Sequence, residues 1–235
     1  MVKSNQQEFD ESCEGCKMKR NRRRRRNWVF GILAFLAVGI AAYALLLYGN
    51  PDDIKDQGFV TAKGTMPDLW YTVLWFHAVS GGIALGIGWL QFIKRIRLRT
   101  PNVHRAIGYV YATMITVAGV TGLYMAYYTS GGLSAQLGFG ALSLMWLYTL
   151  YQSLKSIMAD RNPRAHGQWM LRNYALSCAA ISLRVMTPLA AVFWGLTDTN
   201  DTFGVIAWIC WLPNLLLAEM IIRAGLRRVV RPLNV

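Results

Sequence analysis

Residues 28–48 read WVFGILAFLAVGIAAYALLLY, 21 residues without a charge. A bilayer core of about 30 Å needs roughly 20 apolar residues in helical form, so this stretch is long enough to cross. Five more meet the same test: 69–93, which carries His77; 106–128; 133–154; 173–197, interrupted by Arg184; and 202–222, with Glu219 near its end. Lipid offers the backbone no hydrogen bonds, so spans of this length are helices. The short alternating segments of a membrane barrel are absent. The fold class is therefore all-α, a polytopic membrane protein with six transmembrane helices.

Composition agrees. The chain has 235 residues, enough for one domain or at most two. It is 54% hydrophobic and only 16% charged, where a soluble domain carries about a quarter charged residues. The net charge of +13 does not indicate nucleic acid: nine of the 25 Lys and Arg lie in the first 26 residues, and most others lie between apolar runs. Their distribution gives orientation. The basic segments are the N-terminal tail, the stretch from Lys94 to Arg105, the loop holding Lys155, Arg161 and Arg164, and the C-terminal end with Arg223, Arg227, Arg228 and Arg231. The other three loops hold Lys55 and Lys63 among six aspartates. All basic segments fall on one side, so both termini are expected in the cytoplasm and the protein in the cell membrane.

Residues 1–27 read as a disordered basic tail, 28–228 as the membrane domain and 229–235 as a cytoplasmic end. The first span is too long for a signal-peptide core and no small-x-small site follows it. Cys13 and Cys16 form one C-x-x-C, with no second pair or nearby histidine to complete a tetrahedral site.

Two segments begin alike. Thr100-Pro101-Asn102-Val103-His104 and Asn162-Pro163-Arg164-Ala165-His166 each place a capping residue, then Pro at the first helical position, then His three residues on. The preceding spans end in Gln91-Phe92-Ile93-Lys94 and Gln152-Ser153-Leu154-Lys155, with Gln-to-His separations of 13 and 14 residues. Spans two-three and four-five read as parallel repeats forming a central four-helix bundle. His104 and His166 then lie at equal depth near the basic face. At 100° per residue, His77 shares a stripe with Gly81, Ala84, Gly88 and Gln91. His104 shares one with Gly108, Tyr111, Ile115, Ala118 and Gly122; His166 shares one with Met170, Asn173, Ser177, Ala180 and Arg184. These small or polar stripes are expected to turn inward.

Two imidazoles at equal depth on different helices are what axial ligation of a b-type haem requires. His104 and His166 are the candidate iron ligands, with Arg105, Arg164 and Arg172 near enough for the propionates. A second reading makes both histidines interfacial residues bonded to headgroups or loop carbonyls. His77 lies about 24 Å from the basic end of its helix, too far to join them. It is either part of a separate outer site or a buried imidazole bonded to a carbonyl. Arg184, costly inside a span, either forms a polar outer pocket with His77, for an anion or a quinone, or pins packing through free carbonyls near Pro188. Glu219 pairs naturally with Arg223 one turn on. Walker loops, H-E-x-x-H, G-x-S-x-G and carboxylate clusters within spans are all missing.

The run His77-x-x-x-Gly81, Gln91-Phe92, His104-Arg105-x-x-Gly108-x-x-Tyr111, Thr121-Gly122-Leu123-Tyr124, His166-x-x-Trp169-Met170-x-Arg172-x-Tyr174 and Leu183-Arg184 resembles the predicted membrane family called domain of unknown function 2306, over residues 70 to 190. In outline its helices are similar to the membrane domains of cytochrome b561 and ferric reductases, and that likeness implies haem. The expectation is a haem-b protein for transmembrane electron transfer or redox sensing, meeting an electron donor or quinone in the bilayer. The alternative is a non-redox transporter or assembly scaffold whose His and Arg residues line a polar path.

Overall fold

The structure is a computed structural model that describes residues 2–195 and 199–230, the side chains of residues 1–19 and a few other positions excepted. The Cys13/Cys16 pair lies outside the described side chains. The chain divides into Met1–Leu36 and Ala37–Val235. Among the described residues ten α-helices follow in order: α1 Val2–Tyr48, α2 Gly58–Thr61, α3 Asp68–Gly88, α4 Lys94–Arg99, α5 Pro101–Tyr127, α6 Gly132–Met158, α7 Pro163–Ser177, α8 Ala179–Trp194, α9 Thr199–Ile209 and α10 Leu212–Val230. No strand occurs among the described residues. Six helical stretches are long and apolar enough to cross a membrane: Asn27–Tyr48, Asp68–Phe92, Pro101–Tyr127, Gly132–Met158, Pro163–Phe193 and Thr202–Leu226. The backbone of the tail expected to be disordered runs helical into α1, in keeping with the helix propensity of its Arg, Lys, Glu and Gln.

Helix limits follow local chemistry. The fifth span starts at Pro163, earlier than residue 173, because its first three turns are polar and amphipathic and hydropathy passes over them. Asn162 caps it as expected, its Oδ1 accepting the Ala165 N–H at 3.0 Å. Thr100 does not cap α5: its hydroxyl donates to the Ile96 carbonyl at 3.1 Å. The end of α4 lies immediately before, and the bond to Ile96 turns the hydroxyl back toward that helix, away from the α5 N–H groups whose hydrogens a cap would accept. Spans five and six are each built of two helices, stepping at Cys178 and at Cys210–Trp211.

Among the spans, α3 packs on α5, α5 on α6, α6 on α7, and α7 meets α3. Glycine allows the closest approaches. A Cβ on Gly86 would sit 2.9 Å from Ala41 Cβ, and one on Gly138 would sit 2.8 Å from Ala207 Cβ and 3.1 Å from its carbonyl carbon. These seat span one on span two and span six on span four. On the far side from α4, Gly131 (φ 95°) opens α6 against Phe203 and Gly204. Lys63 Nζ donates to the Tyr128 carbonyl, tying the first loop to the end of α5, and burial holds this ammonium below the ordinary lysine pKa. Large apolar side chains such as Leu46, Tyr109, Leu144, Val192 and Leu216 remain exposed, the surface a bilayer covers.

Candidate functional site

The inward stripes carry the polar core. In α5, Tyr111, Ile115, Ala118 and Gly122 are buried; in α7, Met170, Asn173 and Ser177 are buried. Lipid cannot satisfy these polar groups, so they satisfy one another. Tyr111 Oη donates to Asn173 Oδ1 at 2.7 Å and lies 3.2 Å from Ser177 Oγ. Asn173 Nδ2 donates to the Trp146 carbonyl at 2.8 Å and to Thr149 Oγ1 at 2.9 Å. Trp146 Nε1 donates to Ser177 Oγ at 3.0 Å. Tyr174 Oη reaches from α7 to the Leu85 carbonyl of α3 at 3.2 Å. Periodicity marks Tyr111, Asn173 and Ser177 as inward-facing. It carries no signal for Trp146 and Thr149, which join from α6.

At the basic face, His104 and His166 occupy the first turns of α5 and α7, their backbone N–H groups bonded to Thr100 and Asn162 carbonyls at 3.1 and 3.0 Å. Gln91 Nε2 donates to the His104 carbonyl at 3.2 Å. On the other pair the contact is of a different kind, to the ring and from Ser153 rather than Gln152: His166 Nδ1 lies 2.9 Å from the Ser153 carbonyl and 3.0 Å from Ser153 Oγ. Both contacts then span 13 residues, whereas Gln152 turns to Tyr148 Oη at 2.8 Å. His104 Nδ1 is buried and has no hydrogen-bond partner. The His166 ring and the Arg97 guanidinium are both within electrostatic range of His104.

The arginines divide. Arg105 and Arg164 are exposed. Arg172 is committed elsewhere: its Nε donates to Glu219 Oε1, its other arm to Glu219 Oε2 at 3.1 Å, and its guanidinium lies 4.4 Å from the Trp169 ring centre. The expected local pairing of Glu219 with Arg223 is thereby corrected. A forked guanidinium matches both carboxylate oxygens at once, and α7 packs directly on α10.

His77 Nδ1 bonds the Ala118 carbonyl at 2.9 Å, with Thr121 Oγ1 at 3.5 Å. A Cβ on Gly122 would come within 3.2 Å of its ring, so glycine makes room for the imidazole. Arg184 departs from the inward turn expected of its stripe: it is exposed, bonds its own helix through the Ala180 carbonyl at 3.2 Å and lies 5.5 Å from the Tyr43 ring centre. It is within electrostatic range of His77. Among the described residues, no group of three or more His, Cys, Asp or Glu could hold a metal ion; the two-imidazole arrangement is a different case. No histidine lines the surface recess at Trp28 and Phe35 or the groove at Leu171 and Ile221.

A helical integral membrane protein with a sealed polar core and a histidine-bearing basic face is the class these features define. The family model described as predicted membrane protein (DUF2306) matches residues 74–222, and the chain belongs to that family. No curated protein and no solved structure matches it.

Proposed function

We propose that this protein holds one b-type haem near its basic face, with His104 and His166 as axial ligands, and acts in electron transfer or redox sensing at the membrane. The observation that carries the reading is the state of the two imidazoles. An acceptor carbonyl at Nδ1 fixes the His166 tautomer with its lone pair on Nε2, the arrangement common in metal-ligating histidines. His104, in the same basic neighbourhood, keeps a buried Nδ1 that nothing in the protein satisfies. Together they would offer haem iron one imidazole with its tautomer fixed and one with a ring nitrogen still unpartnered, and haem when bound supplies one-electron chemistry.

The chain's own residues do the positioning. Ser153 orients the His166 ring, and Gln91 holds the first turn of α5 through the His104 carbonyl. The buried Tyr111–Asn173–Ser177 bonds tie α5 to α7 beyond them. Arg105, exposed beside His104, is the cation for carboxylates at the membrane edge; Arg172 leaves that role for Glu219. In the outer half, His77, Arg184 and Tyr43 form a polar site for a quinone or another acceptor of electrons. We place the protein in the plasma membrane, where the bias of basic residues to the inner side would put both termini in the cytoplasm.

The test is reduced-minus-oxidised absorption of the purified protein from haem-replete cells. A Soret band is expected, lost in His104→Ala and His166→Ala and retained in His77→Ala. Colourless, well-folded wild-type protein would overturn the haem assignment and leave a non-redox transporter or scaffold.

A further inference from the structure

At the basic face a groove of about 640 Å³ opens between spans five and six. Its walls are mostly apolar, with Leu171 from α7 and Ile221, Ile222 and Leu226 from α10 beside the one amide of Gln168; its rim carries Arg97 from α4 and Arg164 from α7. Both arginines are exposed, and no carboxylate is paired with either among the described residues. The acidic residue of α10, Glu219, is neutralised by Arg172. The rim is thus cationic without compensation, while the walls are made by helices whose outer surfaces belong in lipid. Gly167 and Gly225 also line the groove, and a Cβ at either would meet nothing within 4 Å.

We propose that this groove binds an anionic phospholipid, its phosphate between Arg97 and Arg164 and the upper part of an acyl chain along Leu171 and Ile221. Two features select a lipid over a soluble anion. The volume is that of a small-molecule site, far more than a bare phosphate fills. The apolar walls run along membrane spans, where an acyl chain finds packing contacts along its length and a soluble anion finds no partner for its charge. Basic pockets between spans are a recurrent way of holding acidic headgroups. Neither histidine lines the groove, and its test reads lipid retention rather than haem, so the two assignments can fail separately even though Arg97 lies within electrostatic range of His104.

The experiment is native mass spectrometry of the full chain in detergent, titrated with phosphatidylglycerol or with phosphatidylcholine of the same acyl chains. Preferential retention of phosphatidylglycerol is expected. Arg97→Ala or Arg164→Ala should each weaken it about fivefold, the effect of one basic side chain at a lipid headgroup. Gly167→Leu, which fills the groove and changes no charge, should weaken it as well, whereas Arg99→Ala, outside the groove, should leave it intact. Equal retention of the two lipids would overturn the site. So would an Arg99→Ala loss as large as that of the rim variants, or undiminished binding in folded Gly167→Leu. Displacement of the lipid by millimolar inorganic phosphate would also overturn it, since the apolar walls would then contribute nothing.

Discussion

Arg172 commits its guanidinium to two neighbours at once, the Glu219 carboxylate of span six and the face of Trp169. Both charged side chains are largely sheltered, at 17% and 30% exposure, so removing one strands the other. Arg172→Ala should lower stability by about 2 kcal/mol, the scale of a hydrogen bond to a charged group. The Arg172→Leu/Glu219→Leu double variant should recover most of the loss, because an apolar pair leaves no charge unpaired. Thermal unfolding in detergent measures both; losses that simply add would show the two residues to be uncoupled. Sequence points Glu219 to Arg223 because i to i+4 proximity is visible in any helix, while contact between spans five and six is not. His77 shows the converse. Its place in a span is legible, but the Ala118 carbonyl that holds it belongs to another helix. Gly122→Ala should therefore disturb it, since the new Cβ would stand 2.7 Å from Ser143 Oγ and 3.2 Å from the His77 ring. The expected readout is a shift in the His77 imidazole NMR resonances with the His104 and His166 resonances unmoved.

Between elements, closeness of backbones decides which glycines matter. Gly138 and Gly140 lie two residues apart on α6 and look equivalent in sequence. Gly138 faces α9, where an added Cβ would meet the Ala207 backbone oxygen at 3.1 Å, whereas at Gly140 it would meet nothing within 4 Å. A flexible side chain can yield, but backbone cannot without moving a span. Gly138→Ala should cost about 1–3 kcal/mol as overpacking. Gly140→Ala should be neutral or stabilising, since alanine favours helix over glycine. Comparing their unfolding midpoints in one detergent checks this, and equal midpoints would contradict a tight α6–α9 crossing. The same distinction explains which features the sequence made legible. Six spans follow from apolar length, and the inward stripes of α5 and α7 follow from a 100° period, because both are local properties. The steps at Cys178 and Cys210–Trp211 and the capping failure at Thr100 depend on what each segment meets in space, as does the 91–104 and 153–166 register.

For the molecule as a whole, charge distribution makes a prediction that packing cannot. The loops that hold the candidate site, α4 and the α6–α7 turn, are rich in arginine, while the loop joining spans one and two carries Asp52, Asp53, Asp56 and Asp68. Inserting the basic loops on the outer side would oppose the positive-inside bias at every pair of spans. The arrangement also locates chemistry: His104, His166 and the Arg97–Arg164 groove share the basic face, whereas Arg184 and Tyr43 lie toward the acidic one. In a variant whose four cysteines are replaced, a single cysteine at Asp53 should react with a membrane-impermeant maleimide added to intact cells. One at Arg99 should react only after the cells are opened. The reverse pattern would turn the histidine pair outward, placing the proposed haem ligands on the face that receives external reductant and the lipid groove in the outer leaflet. Labelling of both sites in intact cells would instead indicate two orientations of one chain, which so large a bias in basic residues should prevent.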